Sequence, residues 1–413
     1  MSNFRVLLLY LPVPVLLLFC LYYGVPIVKD ANETFQSYTH AWNLIYSSPL
    51  EFSFLTANGV RGDIYPYTHN PNLPRYFHAL FLLAGIDDIT VHVAAICSVC
   101  AALTIFFISR LFDIKTATLL VFLTALDWVG SQYFFNTYRA WSFVLFWGCL
   151  WAVNYHSKCN NHYMLKCSGC WIAFAAFFIL FQYEYGFAIF VAVTALLFCD
   201  RWRVRFAAIG GAAASLLFFA VQVVSHLGFD GVIAELSVTA ARRTEWKSWD
   251  GNYAYYQTLV WTVAFIALVF IRRHGLGRLY AAMLGGAITV IVILQQYVQD
   301  AFLSHGIPFL TFFIIVAFSL LGRRMGQFAI LLVPLLVINS IYIWKAFPPM
   351  ERGYVEAVRN AGGPVVSPGS FYGFGFALNP ISGEPTHELC LARPWQENRT
   401  CDGRPFSVTP LPD

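Results

Sequence analysis

The chain has 413 residues, of which 58% are hydrophobic, 18% aromatic and 12% charged, and its net charge is +4. A soluble domain carries about 25% charged residues, so a water-solvated globular body is excluded and most of the chain is expected to be solvated by lipid. So small a net charge, spread along the chain, also excludes a basic surface that follows a phosphate backbone, and with it nucleic acid as a partner.

A membrane-spanning helix needs about 20 predominantly apolar residues, because hydrocarbon satisfies no backbone N–H or C=O group. The first such run is 5–28. It lacks a small-x-small cleavage site before Lys29 and contains Pro12 and Pro14, so it is read as a retained first helix and not as a cleaved leader. A polar stretch, 29–88, follows. Within it Phe35, Tyr38, Trp42 and Ile45 recur at helical spacing, which predicts an interfacial helix over Glu33 to Tyr46. A second short helix is predicted from Pro74 to near Gly85.

Ten further apolar runs follow, at 89–111, 115–134, 139–156, 168–182, 186–199, 204–226, 257–272, 279–297, 303–321 and 327–346, for about eleven spans in all. The pair 168–199 is open between one bent element and two short helices around Gln182 to Gly186. Alternate loops hold Arg110 and Lys115, Lys158 and Lys166, Arg201, Arg203 and Arg205, Arg272, Arg273 and Arg278, and Arg323 and Arg324. Basic short loops face the cytoplasm. The amino terminus is therefore expected inside, with 29–88, 227–256 and the tail 347–413 outside. The expected division is a transmembrane domain over 1–346 and a small extracytoplasmic tail over 347–413, rich in Gly and Pro between 362 and 385.

Eight of the ten cysteines lie in or beside apolar segments and read as small hydrophobes, Cys97 and Cys100 among them. Cys390 and Cys401 share the tail and can pair if it faces an oxidising compartment. His156, Cys159, His162, Cys167 and Cys170 are zinc-ligand types, but their spacing is irregular for a zinc site, so they are read as structural. Trp246, Trp249, Tyr253, Tyr255 and Tyr256 are read as an interfacial belt, with sugar stacking as the alternative. Asn32 and Asn398 begin glycosylation-acceptor triplets, which matter only in a eukaryotic secretory setting.

The chemistry-bearing residues gather at the outer ends of the apolar runs. Asp30 and Glu33 follow the first run, and carboxylates at a water–lipid boundary can serve as bases or hold a cation. Their bland alternative is a helix N-terminus, which acids favour. His69-Asn70-Pro71-Asn72-Leu73-Pro74 leads toward the next run. Asn136-Thr137-Tyr138-Arg139-Ala140-Trp141 lies at an outer turn, and Tyr183-Glu184-Tyr185-Gly186 at another.

In that order these motifs resemble the GT-C superfamily of membrane glycosyltransferases, which includes protein O-mannosyltransferases and aminoarabinose transferases. The resemblance covers roughly residues 1–200, with the remainder alike in helix count. It departs where Asn32 takes the place of an acid beside Glu33, with Asp30 displaced by two, and where Asn136 stands at a position often held by a carboxylate. The resemblance implies inverting transfer of a sugar from a polyprenyl-phosphate donor to a glycan, lipid or protein acceptor on the extracytoplasmic face. The setting would be a bacterial inner membrane, or the endoplasmic reticulum membrane in a eukaryote. Glu33 is the expected catalytic base and Asp30 the second choice. Substrate-binding roles are expected of His69, Asn70, Asn136, Arg139, Glu184 and His305, with Arg242 and Arg243 as rival phosphate ligands to Arg139. No metal ligand is assigned. A divalent cation is compatible with the acids but not required. A transporter or lipid flippase, and a non-catalytic subunit of the same fold, are the alternatives.

Overall fold

A computed structural model of the chain describes residues 9–23, 31–46, 55, 57–58, 65–66, 71, 73–126, 136–155, 163–244, 275–293 and 316. Ten helices are described: α1 (Pro12–Tyr23), α2 (Ala31–Tyr46), α3 (Leu73–Leu83), α4 (Ile89–Leu111), α5 (Ile114–Leu126), α6 (Ala140–Asn154), α7 (Tyr163–Leu180), α8 (Tyr185–Phe198), α9 (Trp202–Thr244) and α10 (Gly275–Ile293). Two of them, Ile89–Leu111 and the stretch Trp202–Ala234, are long and apolar enough to cross a bilayer, and six shorter apolar helices accompany them. The expected runs 257–272, 303–321 and 327–346 and the tail lie outside the described residues, apart from Val316.

The expectation of a wholly helical chain needs one amendment. Two-residue strands β1 (Ala57–Asn58) and β2 (Tyr65–Pro66) pair antiparallel within the first polar stretch, with Asn58 opposite Tyr65. The predicted interfacial helix exists as α2, but it is packed into the protein. Tyr38 and Ala41 are buried, and so are the polar Thr34, Ser37, His40 and Asn43. An interfacial helix keeps its polar face in water; here that face finds partners on α3, through His40, and on the turn before α6, through Thr34.

Local chemistry sets the boundaries. Helix α3 ends in a Schellman motif: Gly85 adopts φ 75°, the Ile86 N–H donates to the Phe81 carbonyl at 3.0 Å, and the Gly85 N–H donates to the Leu82 carbonyl at 3.0 Å. Helix α4 begins three residues later, where the Asp88 carboxylate accepts from the Thr90 N–H at 2.8 Å. The stretch 168–199 resolves into two helices, with the intervening Gln182, Tyr183 and Glu184 all buried. Within α9 the expected end at 226 falls two residues before Gly228, whose φ of 69° and ψ of 173° are non-helical and set off a second helical stretch that runs to Thr244. The residues after 226 are polar enough to read as a loop, but Ala, Glu and Leu among them sustain a helix.

The main core joins α4 to α8 and α10 through Phe143, Phe146, Trp147, Phe177, Phe187, Phe190 and Met283. Helix pairs α7/α9 and α8/α10 approach closely through glycines. A Cβ on Gly211 would meet the Phe174 carbonyl oxygen at 2.1 Å, and one on Gly286 would meet Thr194 Oγ1 at 2.5 Å. Small residues at helix contacts are how apolar helices pack where lipid removes the hydrophobic drive between them. Cys20, Cys97, Cys100, Cys149 and Cys199 are free and buried, as packing residues.

Helices α4, α6 and α8 share a polarity. The N-terminal ends of α4, α6 and α8 are joined by side-chain contacts described below. At their other ends the Cys199 thiol lies 3.7 Å from the Val153 carbonyl. Arg201, Arg203, Arg205 and Arg278 belong to that second end, where the Arg205 guanidinium donates to the Cys199 carbonyl at the close of α8.

Candidate active site

Four segments far apart in sequence meet at the first end: the N-terminal turn of α2, helix α3, the turn 136–139 that opens α6, and the α7–α8 break. The turn is built by Asn136. Its Oδ1 accepts from the Tyr138 N–H at 3.0 Å and the Arg139 N–H at 3.1 Å, and its carbonyl accepts from the Ala140 N–H at 2.8 Å. This is an N-terminal cap in geometry and in residue type. Asn136 therefore has a physical role other than the substrate contact expected of it, because its acceptor oxygen is engaged by backbone.

The cap presents Arg139, which donates from Nη1 to Glu184 Oε2 at 2.6 Å. Both side chains are buried, at 1% and 2% exposure. A guanidinium–carboxylate pair this short is charge-assisted and takes much of its strength from the surrounding low dielectric. Tyr138 and Tyr183 stack beside it with ring centroids 4.8 Å apart. The Tyr183 hydroxyl donates to the Tyr138 carbonyl at 3.3 Å and lies 3.0 Å from the Ser142 hydroxyl. Burial pushes the Tyr138 phenol well above its ordinary 10, so it stays protonated. Gln182 completes the break: its carbonyl accepts from the Leu73 N–H at the start of α3, and its amide donates to the Ser215 hydroxyl at 2.8 Å.

A second guanidinium approaches the same ring. Arg75 of α3 sits with its Cζ 5.5 Å from the centroid of Tyr138, equal to the distance from Arg139. Its Nη1 also bonds the ring of buried His40 on α2. Among the described residues, two guanidiniums and one carboxylate thus lie beside a stacked tyrosine pair, an arrangement able to stabilise negative charge that develops nearby. Behind them lies a histidine pair. His78 Nδ1 is 3.1 Å from His92 Nδ1, His78 Nε2 is 2.8 Å from the Thr137 hydroxyl, and His92 Nε2 is 2.8 Å from the Ile86 carbonyl. Burial, with His92 alongside, holds His78 well below the ordinary imidazole value.

Of the residues expected from sequence, Asn136, Arg139 and Glu184 are brought together. Glu33 lies in the first turn of α2, next to Thr34, whose hydroxyl accepts from the Thr137 N–H at 3.1 Å. Arg242 and Arg243 lie on α9 beyond the Gly228 break. Asp30, His69, Asn70 and His305, the aromatic cluster 246–256 and Cys390 and Cys401 lie outside the described residues, as do His156, Cys159 and His162. Arg75, His40, His78, His92 and Thr137 had no assigned role. A signal for two of them was present, since Arg75, His78, Ala79 and Leu82 share the buried face of α3 at spacings of three and four. Among the described residues no group of three or more His, Cys, Asp or Glu is placed to hold a metal ion. The paired imidazoles bond each other directly, which does not suit ligation.

No protein-family model matches the sequence, and no curated protein matches it. Among solved structures, the chain is similar to the oligosaccharyltransferase of Archaeoglobus fulgidus, crystallised as a complex with zinc and sulfate. The identity is 13% and the TM-score 0.49, over 87% of this chain and 58% of that one. The chain therefore spans less than two thirds of that protein, and at this identity and TM-score no residue role or activity passes from one to the other.

Proposed function

We propose that the chain is a polytopic membrane glycosyltransferase of the GT-C type. It moves a sugar from a polyprenyl-phosphate donor to an acceptor on the extracytoplasmic face, with inversion at the anomeric carbon. The observation that carries the reading is the Thr137 N–H to Thr34 Oγ1 bond. It sets the helix turn bearing Glu33 against the turn bearing Arg139, and these are two of the motifs on which the family resemblance rests.

In this reading Glu33 takes the acceptor's proton as its oxygen attacks C1, with Asp30 as the alternative base. The departing phosphate gains charge as its bond to C1 breaks. Arg139 and Arg75 lie in low dielectric beside Tyr138, so their fields act on that charge without rearrangement. Glu184 holds Arg139 in place, and neutral Tyr138 adds no competing anion. Arg242 and Arg243 remain candidates for direct phosphate contact. The basic ends of α8 and α10 lie opposite the Arg139–Glu184 pair, in keeping with an extracytoplasmic site.

The test is sugar transfer by purified protein supplied with polyprenyl-phosphate-linked sugars. Glu33→Gln is expected to lower turnover by about 100-fold or more while the protein still inserts and folds. Undiminished turnover in a variant lacking both Asp30 and Glu33 would overturn the base assignment. Translocation of the donor lipid without any transfer would overturn the enzyme reading itself.

A further inference from the structure

The hydrogen bonds from Thr34 to Ile86 form one continuous chain, and its polarity follows from its far end. The Ile86 carbonyl can only accept, so His92 Nε2 carries a proton. In a neutral imidazole the other nitrogen then accepts, so His78 donates from Nδ1 to His92 Nδ1. His78 Nε2 in turn accepts from the Thr137 hydroxyl. The Thr137 N–H donates to Thr34 Oγ1. Thr34, His78, His92 and Thr137 are all buried, so water cannot readily replace any of these bonds. Tyr38 packs across both imidazoles, with its ring 6.1 Å from His78 and 5.3 Å from His92, and donates its hydroxyl to the Asp87 carbonyl at 2.7 Å. Phe81 also packs on His92, with ring centroids 4.8 Å apart.

We infer that this chain is a positioning device, in which neutral His78, as its Nδ1–H tautomer, fixes the spacing between the Glu33 turn of α2 and the Arg139 turn of α6. The inference rests on the glycosyl-transfer reading for its effect on turnover alone. Thr137 is the joint. Its hydroxyl is held by α3 through His78, its N–H by α2 through Thr34, and two residues onward Arg139 meets Glu184. The geometry of three helices at the site thus depends on one threonine and one imidazole, neither of which needs to touch substrate. Nδ1–H is the less common imidazole tautomer in water, so the arrangement also has a spectroscopic signature.

Three readouts test it on the intact protein in detergent or nanodiscs. Ring nitrogen NMR on histidine-labelled protein at pH 7 should give one neutral Nδ1–H imidazole that disappears in His78→Gln. Finding His78 cationic or as the Nε2–H tautomer would overturn the proposal. Amide exchange should respond at each joint. Thr34→Val, which removes the acceptor of the Thr137 N–H, should speed exchange over 136–140, and Thr137→Val, which removes the hydroxyl that donates to His78, should speed it over 76–80, each by about tenfold. If neither segment answers to the substitution of its partner, the proposal fails whatever the enzyme does. Turnover with the polyprenyl-phosphate sugar should fall by about 10- to 100-fold in Thr137→Val, with KM nearly unchanged, and return to within about twofold in Thr137→Ser. Unchanged kcat in folded Thr137→Val would overturn the positioning role. A wild-type protein without transferase activity would instead overturn the function, leaving the NMR and exchange results to judge the chain of bonds.

Discussion

At one end of the bundle Arg139 meets Glu184 out of contact with water, and at the other Arg278 donates to both carboxylate oxygens of Asp200 while 47% and 72% of the two side chains remain exposed. The chemistry is the same and the setting opposite. Desolvation makes the first pair costly to assemble and more costly to break, because removing one partner strands a charge in low dielectric. The second is screened by solvent and ties α10 to the end of α8 with little energy. Its Asp200 carboxyl is held below its ordinary range by the Arg278 hydrogen bonds, which shows the pairing but does not make it strong. Specific geometry is thus enforced more strictly at the end where the candidate chemistry lies.

Breaking the buried pair tests this most strongly. Glu184→Gln should destabilise the protein by about 3–5 kcal/mol in reversible unfolding, and replacing Arg139 and Glu184 together by Met and Leu should recover most of the loss. If the double replacement is as unstable as the single, the cost lies in packing and not in stranded charge.

Acidification probes the same end more gently. His78 is depressed below its ordinary 6.5 by burial, so as pH falls below 6.5 the unfolded chain binds a proton that the folded chain does not. Stability should therefore be insensitive to this residue above that pH. It should decline below it by about 1.4 kcal/mol per pH unit until the folded-state value is reached. His78→Gln should flatten the decline in the unfolding midpoint measured between pH 7 and 5.

Asp200→Asn at the opposite end should cost less than about 1 kcal/mol, and the cost should shrink further in high salt. A large, salt-independent loss would erase the contrast between the two ends.

The helices were legible where local signals flank them. The run 89–111 coincides with α4 because Asp88 caps its start and Arg110 lies in its last turn. The run 139–156 nearly coincides with α6, whose cap Asn136 lies just upstream. The run 204–226 stops just short of the non-helical Gly228, and the helical stretch beyond it was hidden by the polar residues that follow. In the site, Arg139 and Glu184 stood out as charges among apolar neighbours. What could not be read was the choice of partner. His78 reaches Thr137 across 59 positions and Arg75 reaches His40 across 35, and nothing local to those residues specifies such pairings. The burial of α2 escaped for the same reason, since its polar face is satisfied by groups that arrive only with the tertiary fold.

Asn136 has one more consequence. An aspartate there could accept from the same two backbone N–H groups, but it would add a second anion three residues from Arg139, in competition with Glu184 for the guanidinium. The amide builds the turn without entering that contest, and Arg139 pairs with the Glu184 carboxylate across the α7–α8 break. Asparagine at 136 thus keeps the turn without adding a rival ligand for the guanidinium.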